Sequence, residues 1–148
     1  MKYATATDGK AARAYGRSLP ISFKKSIEIS NFIRGNKLAT ARQKLERVMK
    51  MKQAVPYRRY AKGGTGHKRN IGPGRYPIKT CAEFIRLLKS AEANAQQKGL
   101  DASKLYISAI VPKKAAGQWH YGRKRRRKMK VTHVEIIAQE KTEERKND

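Results

Sequence analysis

A strongly basic stretch enclosed by two apolar runs constrains the fold of this chain more than any other feature. The runs cover residues 105–111 (LYISAIV) and 131–138 (VTHVEIIA), and both are rich in β-branched residues that favour strands. Between Asp101 and Glu135 there is no acidic residue, whereas residues 123–130 hold seven Lys or Arg in eight positions. A domain of this size cannot bury so many like charges in its core.

These runs predict a long antiparallel hairpin with an apolar base. We expect an extended basic arm at residues 111–131, with a bend of small and aromatic residues at 115–122. Each half of the hairpin at 105–138 has about 17 residues and, at about 3.3 Å per residue, would reach about 50 Å when fully extended. Such an arm must project into a binding partner that carries many negative charges.

The overall charge points to the same kind of partner. The chain carries 36 Lys and Arg against 11 Asp and Glu, a formal net charge of +25, which predicts salt-sensitive association with a phosphate backbone. A membrane partner is disfavoured, because no apolar run approaches the roughly 20 residues of a spanning helix, and neither an interfacial helix nor a signal peptide is evident. Cys81 is the only cysteine, so we expect no disulfide and a reducing, intracellular setting.

The rest of the chain predicts one compact body. We expect a single domain over residues 1–148, with a globular body at about 12–104 together with the hairpin base, and a frayed polar tail at 139–148. Residues 13–21 predict an edge strand, where Pro20 is tolerated. The fold class is α/β in the α+β sense: three helices packed on a small antiparallel sheet, with the basic hairpin protruding. No homo-oligomer is expected.

Three segments have the spacing of amphipathic helices. The first follows Ser22 as its N-cap and ends at Gly35, and Asn36 caps the second. Thr80 and Glu83 form a capping box at the start of the third. The apolar positions expected on the buried faces are Phe23, Ile27, Ile29, Phe32 and Ile33 in the first helix, Leu38, Ala41, Leu45, Val48 and Met49 in the second, and Cys81, Phe84, Ile85, Leu88, Ala91 and Ala95 in the third.

Between the second and third helices, residues 55–78 have no regular periodicity and predict a long loop. This segment combines glycine, proline, tyrosine and basic residues without an acid. Its glycines do not have the spacing of a P-loop, and the Lys is not followed by Ser or Thr, so a nucleotide site is disfavoured. A flexible backbone that approaches phosphate closely is the better interpretation, and a loop of this length is usually functional.

Aromatic residues lie beside the basic residues in both the loop and the hairpin. Trp119, His120 and Tyr121 adjoin the run at 123–130, which indicates unstacked RNA, because exposed bases stack on aromatic rings. Arginine suits the same partner, since its guanidinium binds phosphate bidentately. The alternative interpretation of the run is a nuclear-import signal or a solvated charge cluster.

No catalytic or metal-binding constellation is evident. Cys81 falls on an apolar helix face, and His67, His120 and His133 have no ligand-like spacing. The four acids Glu28, Glu46, Glu83 and Glu92 are distributed over the three predicted helices, where solvent pairing or capping accounts for them. We therefore expect no enzyme activity, cofactor or metal. Two alternatives stay open at this stage: a basic accessory subunit of a nucleic-acid-processing enzyme, and a DNA- or chromatin-binding protein.

Four stretches resemble the universal large-subunit ribosomal protein twenty-two family in its archaeal and eukaryotic form. These are residues 21–25 (ISFKK) with 32–35 (FIRG), residues 55–60 (VPYRRY) with the glycine-rich loop and 74–77 (GRYP), residues 83–84 (EF) with 90–95 (SAEANA) and 98–101 (KGLD), and residues 132–136 (THVEI). The resemblance covers the chain from about residue 13 to 140.

The resemblance implies a non-catalytic constituent of the large ribosomal subunit in the cytoplasm. It implies that the hairpin threads through large-subunit rRNA and lines the polypeptide exit tunnel, with neighbouring ribosomal proteins and the nascent polypeptide as further partners. The candidate rRNA-binding residues are Lys24, Lys25, Arg34, Tyr57, Arg58, Arg59, Tyr60, Lys62, His67, Lys68, Arg69, Arg75, Tyr76, Lys113, Lys114, Arg123, Lys124, Arg125, Arg126, Arg127, Lys128 and Lys130, and the candidate tip or tunnel residues are Gly117, Gln118, Trp119, His120, Tyr121 and Gly122.

Overall fold

Three helices and two small antiparallel sheets make up the fold, which confirms the predicted α+β class. The computed structural model describes residues 11–61 and 64–140. The elements are β1 (Ala11–Leu19), α1 (Phe23–Ile33), α2 (Leu38–Met49), β2 (Val55–Pro56), β3 (His67–Lys68), β4 (Gly72–Arg75), α3 (Ile78–Gln97), β5 (Leu105–Lys114), a 3₁₀ turn (Gly122–Lys124) and β6 (Thr132–Glu140).

The larger sheet has the order β1-β6-β5, and both strand pairs are antiparallel. The last strand of the chain therefore lies in the middle, and Val134, Ile136 and Ala138 on one face of β6 are fully buried. The predicted strands at residues 105–111 and 131–138 are confirmed as a directly paired couple. The edge strand predicted within residues 13–21 is also confirmed, because among the described strands β1 pairs only with β6.

A β-bulge changes which side chains of β5 face the core. The register against β6 shifts between Ile107 and Ala109, where the Ser108 hydroxyl donates a hydrogen bond to the Ile137 carbonyl. Simple alternation from Ile107 would bury position 109, yet Ile110 is the next buried residue, at 1% exposure. The extra residue inverts the alternation, as bulges do.

Helix α3 forms the main layer over the sheet. It packs against α2 and against β1 and β6, and the predicted stripe is confirmed because Cys81, Phe84 and Leu88 are fully buried. The predicted capping box is wrong. Helix α3 begins nearly one turn earlier than predicted, at Ile78, so Thr80 is a buried residue within the helix. Pro77 occupies the N-cap position, and proline near a helix start costs no hydrogen bond.

The connection between α1 and α2 covers the outer edge of β5. Gly35 adopts φ +76°, which confirms it as the residue that ends α1, and its N–H donates to the Ile107 carbonyl at 2.9 Å. The N-cap of α2 is Lys37, so the prediction of Asn36 is wrong. The Asn36 side chain instead donates to the Phe32 carbonyl and accepts from Lys44.

Two smaller predictions about the body are corrected. The segment at 55–78 is not an irregular loop throughout, since β2, β4 and β3 form a second sheet in that order and Ile78 already starts α3. Met49 was predicted in the buried stripe of α2, but it is 37% exposed at the last helical position. Ser22 is the N-cap residue of α1 by position, although its side chain makes no capping hydrogen bond.

Backbone hydrogen bonds join the outgoing and returning halves of the hairpin beyond strands β5 and β6. The Ala115 N–H donates to the Val131 carbonyl at 3.1 Å, and the Met129 N–H donates to the Gln118 carbonyl at 2.7 Å. At Gly117 the arms approach so closely that a Cβ atom would overlap the Met129 carbonyl oxygen. Glycine is therefore required at this position for the arms to pair as they do.

The chain reverses later than predicted. The turn is the 3₁₀ segment Gly122–Lys124, closed by a hydrogen bond from the Arg125 N–H to the Gly122 carbonyl. The predicted bend at 115–122 is therefore misplaced, because Ala115, Gln118, Trp119 and His120 pair with the returning half of the hairpin and only Gly122 belongs to the turn. At the other end, Gln139 and Glu140 belong to β6 rather than to a frayed tail, and residues 141–148 lie outside the described part of the chain.

The thiol of Cys81 provides a test of the α3 packing. Burial raises the pKa of Cys81 to about 12, so about one thiol in ten thousand is ionised at pH 8. We expect the native protein to resist a disulfide exchange reagent at pH 8 and the denatured protein to react fully. The stability contributed by the neutral buried thiol is present below about pH 9 and is lost as the pH rises toward 12. Rapid labelling of the native protein would contradict this packing.

Candidate nucleic-acid interface

The buried carboxylate of Glu28 positions the basic segment at residues 58–60. Glu28 of α1 is 1% exposed, and its two carboxylate oxygens accept hydrogen bonds from the backbone N–H groups of Arg58 (3.2 Å) and Tyr60 (2.6 Å). Hydrogen bonds from N–H groups to a carboxylate are stronger than those between neutral groups. Glu28 therefore holds residues 58–60 against α1. Solvent pairing, the role predicted for this acid, does not describe it.

Two cations lie close to the ring of Tyr60, which the Glu28 contact positions. The Lys24 Nζ is 5.5 Å from the ring centroid, and the Arg59 guanidinium carbon is 5.6 Å from it. These distances are within the range of cation–π attraction. Tyr60 remains partly exposed.

Tyr57 has a different environment from Tyr60. It is 4% exposed and packs within the hydrophobic core, while the Arg75 guanidinium lies 5.8 Å from its ring centroid. Burial raises the pKa of Tyr57 to about 12, with the nearby Arg75 charge acting in the opposite direction. The hydroxyl oxygen is buried and has no hydrogen-bond partner within the described residues. A base cannot stack on this ring without rearrangement. Tyr57 therefore supports the adjoining residues 58–60 from the hydrophobic core.

Two adjoining clefts open beside Tyr60. The first has a volume of about 440 Å³ and separates the start of α1 from the base of the arm. The second, of about 360 Å³, lies toward residues 57–60 and the end of β4. None of the described residues that line either cleft is acidic. Both are lined by Ser22, Lys24, Tyr60 and Lys130; the first also by Phe23, Lys114, Ala115, Gly117, Lys128, Met129 and Val131; the second also by Lys25, Tyr57, Arg59 and Arg75.

The structure thus assembles cations that are far apart in the sequence. Lys24 and Lys25 come from α1, Arg59 and Arg75 from the loop, and the remainder from both sides of the arm. Residues that the sequence did not indicate complete the walls, notably Phe23, Met129 and Val131. No signal in a single sequence identifies them, because their apolar side chains resemble core residues.

The basic residues of the distal arm are exposed. All positions from 121 to 128 are exposed, including Tyr121 at 89%, and they extend the positive surface away from the clefts. Trp119 is 60% exposed, with the Lys128 Nζ 4.5 Å from its ring centroid. A core location for this tryptophan is therefore excluded.

Other candidate residues lie outside the clefts. Arg34 donates to the Ile110 carbonyl at 3.3 Å, and the partly buried Tyr76 packs against the core. His67 and Lys68 form β3, and Arg69 follows in the turn before β4. Lys62 lies outside the described residues.

Neither a metal site nor a membrane-spanning helix is present within residues 11–61 and 64–140. No group of three His, Cys, Asp or Glu is close enough to hold a metal ion there. Over the same residues, no helix is sufficiently long and apolar to cross a bilayer.

Comparison with known proteins identifies the family. A family model described as ribosomal protein L22p/L17e matches residues 14–139. This chain belongs to that family. Relatives named large ribosomal subunit protein uL22 include those of Ignicoccus hospitalis (42% identical, covering 88% of this chain and 89% of the relative), Archaeoglobus fulgidus (38%, covering 93% of each) and Zea mays (38%, covering 90% and 84%). The predicted resemblance is confirmed, and the family is one of structural, non-enzymatic proteins.

The Glu28 contacts give a prediction in which charge and affinity change in opposite directions. Glu28→Gln raises the net charge by one, yet it leaves one of the two N–H groups without its acceptor, because an amide has a single oxygen. We expect a loss of about 1–3 kcal/mol in the free energy of unfolding, measured by urea denaturation. Affinity for RNA should also fall as residues 58–60 loosen.

Glu46→Gln is the matched control, since it makes the same charge change. Glu46 is half-exposed and pairs only with Arg42, one helical turn away, among the described residues. We expect a change within about 0.5 kcal/mol for this variant. Equal effects of the two variants would show that residues 58–60 do not depend on Glu28.

Proposed function

We propose that this protein is a structural constituent of the large ribosomal subunit that binds large-subunit rRNA. The observation that carries the proposal is the convergence of Lys and Arg from α1, the loop and the arm on two clefts whose described lining residues include no acid. Such a surface matches the phosphate backbone, which dominates the affinity of proteins for nucleic acids. Family membership supports the ribosomal setting.

The proposed rRNA contacts divide between a body and an arm. The body comprises about residues 12–104 and the hairpin base, and the arm comprises residues 111–131. Body contacts come from the loop and α1, and arm contacts come from the cations at 113–114 and 123–130. Because the arm cations are exposed and their mutual repulsion opposes pairing, rRNA phosphates stabilise the arm by neutralising them. Support for subunit assembly follows from joining separate RNA segments.

We also propose that the arm reaches the polypeptide exit tunnel, where its distal part contacts the nascent chain. Trp119 and Tyr121 support this role, since both are large, exposed and distant from the core. The turn at Gly122–Lys124, rather than the preceding residues, forms the extremity of the arm. Residues 117–121 therefore contribute its flank.

Salt dependence tests the phosphate contacts. We expect the binding of the purified protein to an in vitro transcript of archaeal large-subunit rRNA to weaken with salt, with a log–log slope above about 3 in magnitude. The double variant Lys24→Gln/Lys130→Gln should reduce that slope by about 1–2, because two cleft cations are lost. Filter binding at a series of salt concentrations measures both.

The control for this experiment removes two charges elsewhere. Lys79→Gln/Lys89→Gln changes two exposed lysines of α3 that do not line the clefts. This variant should retain the slope of the parent protein. A slope that depends only on net charge, or is nearly flat from the start, would contradict the proposed interface.

Fluorescence of Trp119, the only tryptophan, tests the role of the distal arm. We expect solvent-like emission in the free protein and strong quenching on rRNA binding. If the ring stacks on a base, Trp119→Ala costs about 1–3 kcal/mol of binding free energy. If it faces the tunnel, the substitution leaves affinity unchanged and a photoreactive nascent chain attaches near residue 119. Buried, blue-shifted emission that RNA does not alter would contradict both arrangements.

A further inference from the structure

The two clefts differ in chemical character although they adjoin. The larger one has apolar walls from Phe23, Ala115, Met129 and Val131, with lysines around them. The smaller one is lined mainly by cations and tyrosines. Tyr60 lines both clefts. A ligand that spans them must therefore combine a flat apolar part with an anionic part.

From this arrangement we propose that the paired clefts hold one unstacked nucleotide of the RNA, with its base in the larger cleft and its phosphate in the smaller one. The inference rests on the proposed rRNA-binding function and adds a specific mode of recognition to it. Backbone contacts alone require only exposed cations. An apolar cleft of about 440 Å³ next to those cations is what a base removed from its stack requires.

The walls of the base cleft are held in place by the fold. On the arm side, hydrogen bonds from Ala115 to Val131 and from Met129 to Gln118 fix the backbone. Gly117 permits the close approach of the two arms, because any side chain there would overlap Met129. A preformed wall lowers the entropic cost of binding the base.

The opposite side is equally well defined. Glu28 holds the Tyr60 backbone at 2.6 Å, and the Lys24 ammonium is attracted to the Tyr60 ring. Tyr60 is therefore a positioned aromatic surface at the boundary between the two clefts. Bases stack on such rings without regard to sequence, since every base has a π face.

Charge identifies the part of the ligand in the smaller cleft. Lys25, Arg59 and Arg75 line it, and Lys24 and Lys130 line both clefts. The start of α1, an 11-residue helix, lies at the same place, and its first N–H groups add a partial positive charge. The positive potential of these groups attracts an RNA phosphate, whereas it gives an apolar peptide segment no such attraction.

Filling the base cleft tests the proposal. Ala115→Phe adds an apolar ring to the larger cleft without changing charge, and Ala116→Phe makes the same change at the next, exposed residue, which lines neither cleft. Against the archaeal rRNA transcript we expect Ala115→Phe to weaken binding about tenfold and Ala116→Phe to leave it unchanged. The salt slope of Ala115→Phe should equal that of the parent protein, since the phosphate contacts persist.

A second pair of variants covers the possibility that the added ring displaces the arm. Tyr60→Leu should weaken binding severalfold, and Tyr60→Phe, which retains the ring, should not. In a transcript containing 4-thiouridine, ultraviolet crosslinks should map to peptides containing Phe23, Tyr60 or Met129. Ala115→Phe should abolish these crosslinks and Ala116→Phe should preserve them.

The outcomes separate the two proposals. Suppose that the parent protein binds with a steep salt slope and that Ala115→Phe and Ala116→Phe bind as tightly as each other. The base cleft is then refuted and the rRNA-binding function stands. A reduced slope for Ala115→Phe also refutes the base cleft, because it shows that phosphate contacts were lost instead. Absence of salt-dependent binding in the parent protein overturns both.

Discussion

Strand β6 is hydrogen-bonded along both edges, and the rest of the structure depends on this position. It joins β1 from the start of the described chain to β5, and its buried residues Val134, Ile136 and Ala138 pack under the helices. The same strand is the return path of the arm. The burial of apolar side chains in β6 therefore supports a hairpin whose distal part buries very little. The charged arm needs this apolar base, because its like charges oppose pairing on their own.

The second constraint is the placement of one negative charge among many positive ones. Glu28 is buried and accepts two backbone hydrogen bonds from the loop at residues 58–60. Its two oxygens accept hydrogen bonds from main-chain N–H groups, so this carboxylate holds the backbone of the loop in place. A surface that neutralised its own charge with internal ion pairs would have less affinity for phosphate. The ion pairs Arg42–Glu46, Arg86–Glu83 and Lys104–Asp101 each join residues three or four positions apart, and none of these residues lines a cleft.

Periodicity and composition predicted much of the fold. The buried face of α3 followed from the spacing of Cys81, Phe84 and Leu88, since a 3.6-residue period specifies one face whatever it packs against. The pairing of β5 with β6 followed from two β-branched runs that enclose a segment too charged to bury. The family could be recognised from motifs spread along the chain, and the match over residues 14–139 confirmed it.

Other features depended on contacts that a single sequence does not display. The bulge at Ser108 and the burial of Thr80 within α3 involve residues distant in the sequence, and the turn at Gly122–Lys124 follows from the register in which the two halves of the hairpin pair. The amino-acid sequence by itself determined that the chain folds with a basic, acid-free arm, because charge and periodicity are local properties. Only the tertiary structure decided that Lys24, Tyr60 and Met129 share a cleft, because their proximity requires α1, the loop and the arm to be in place together.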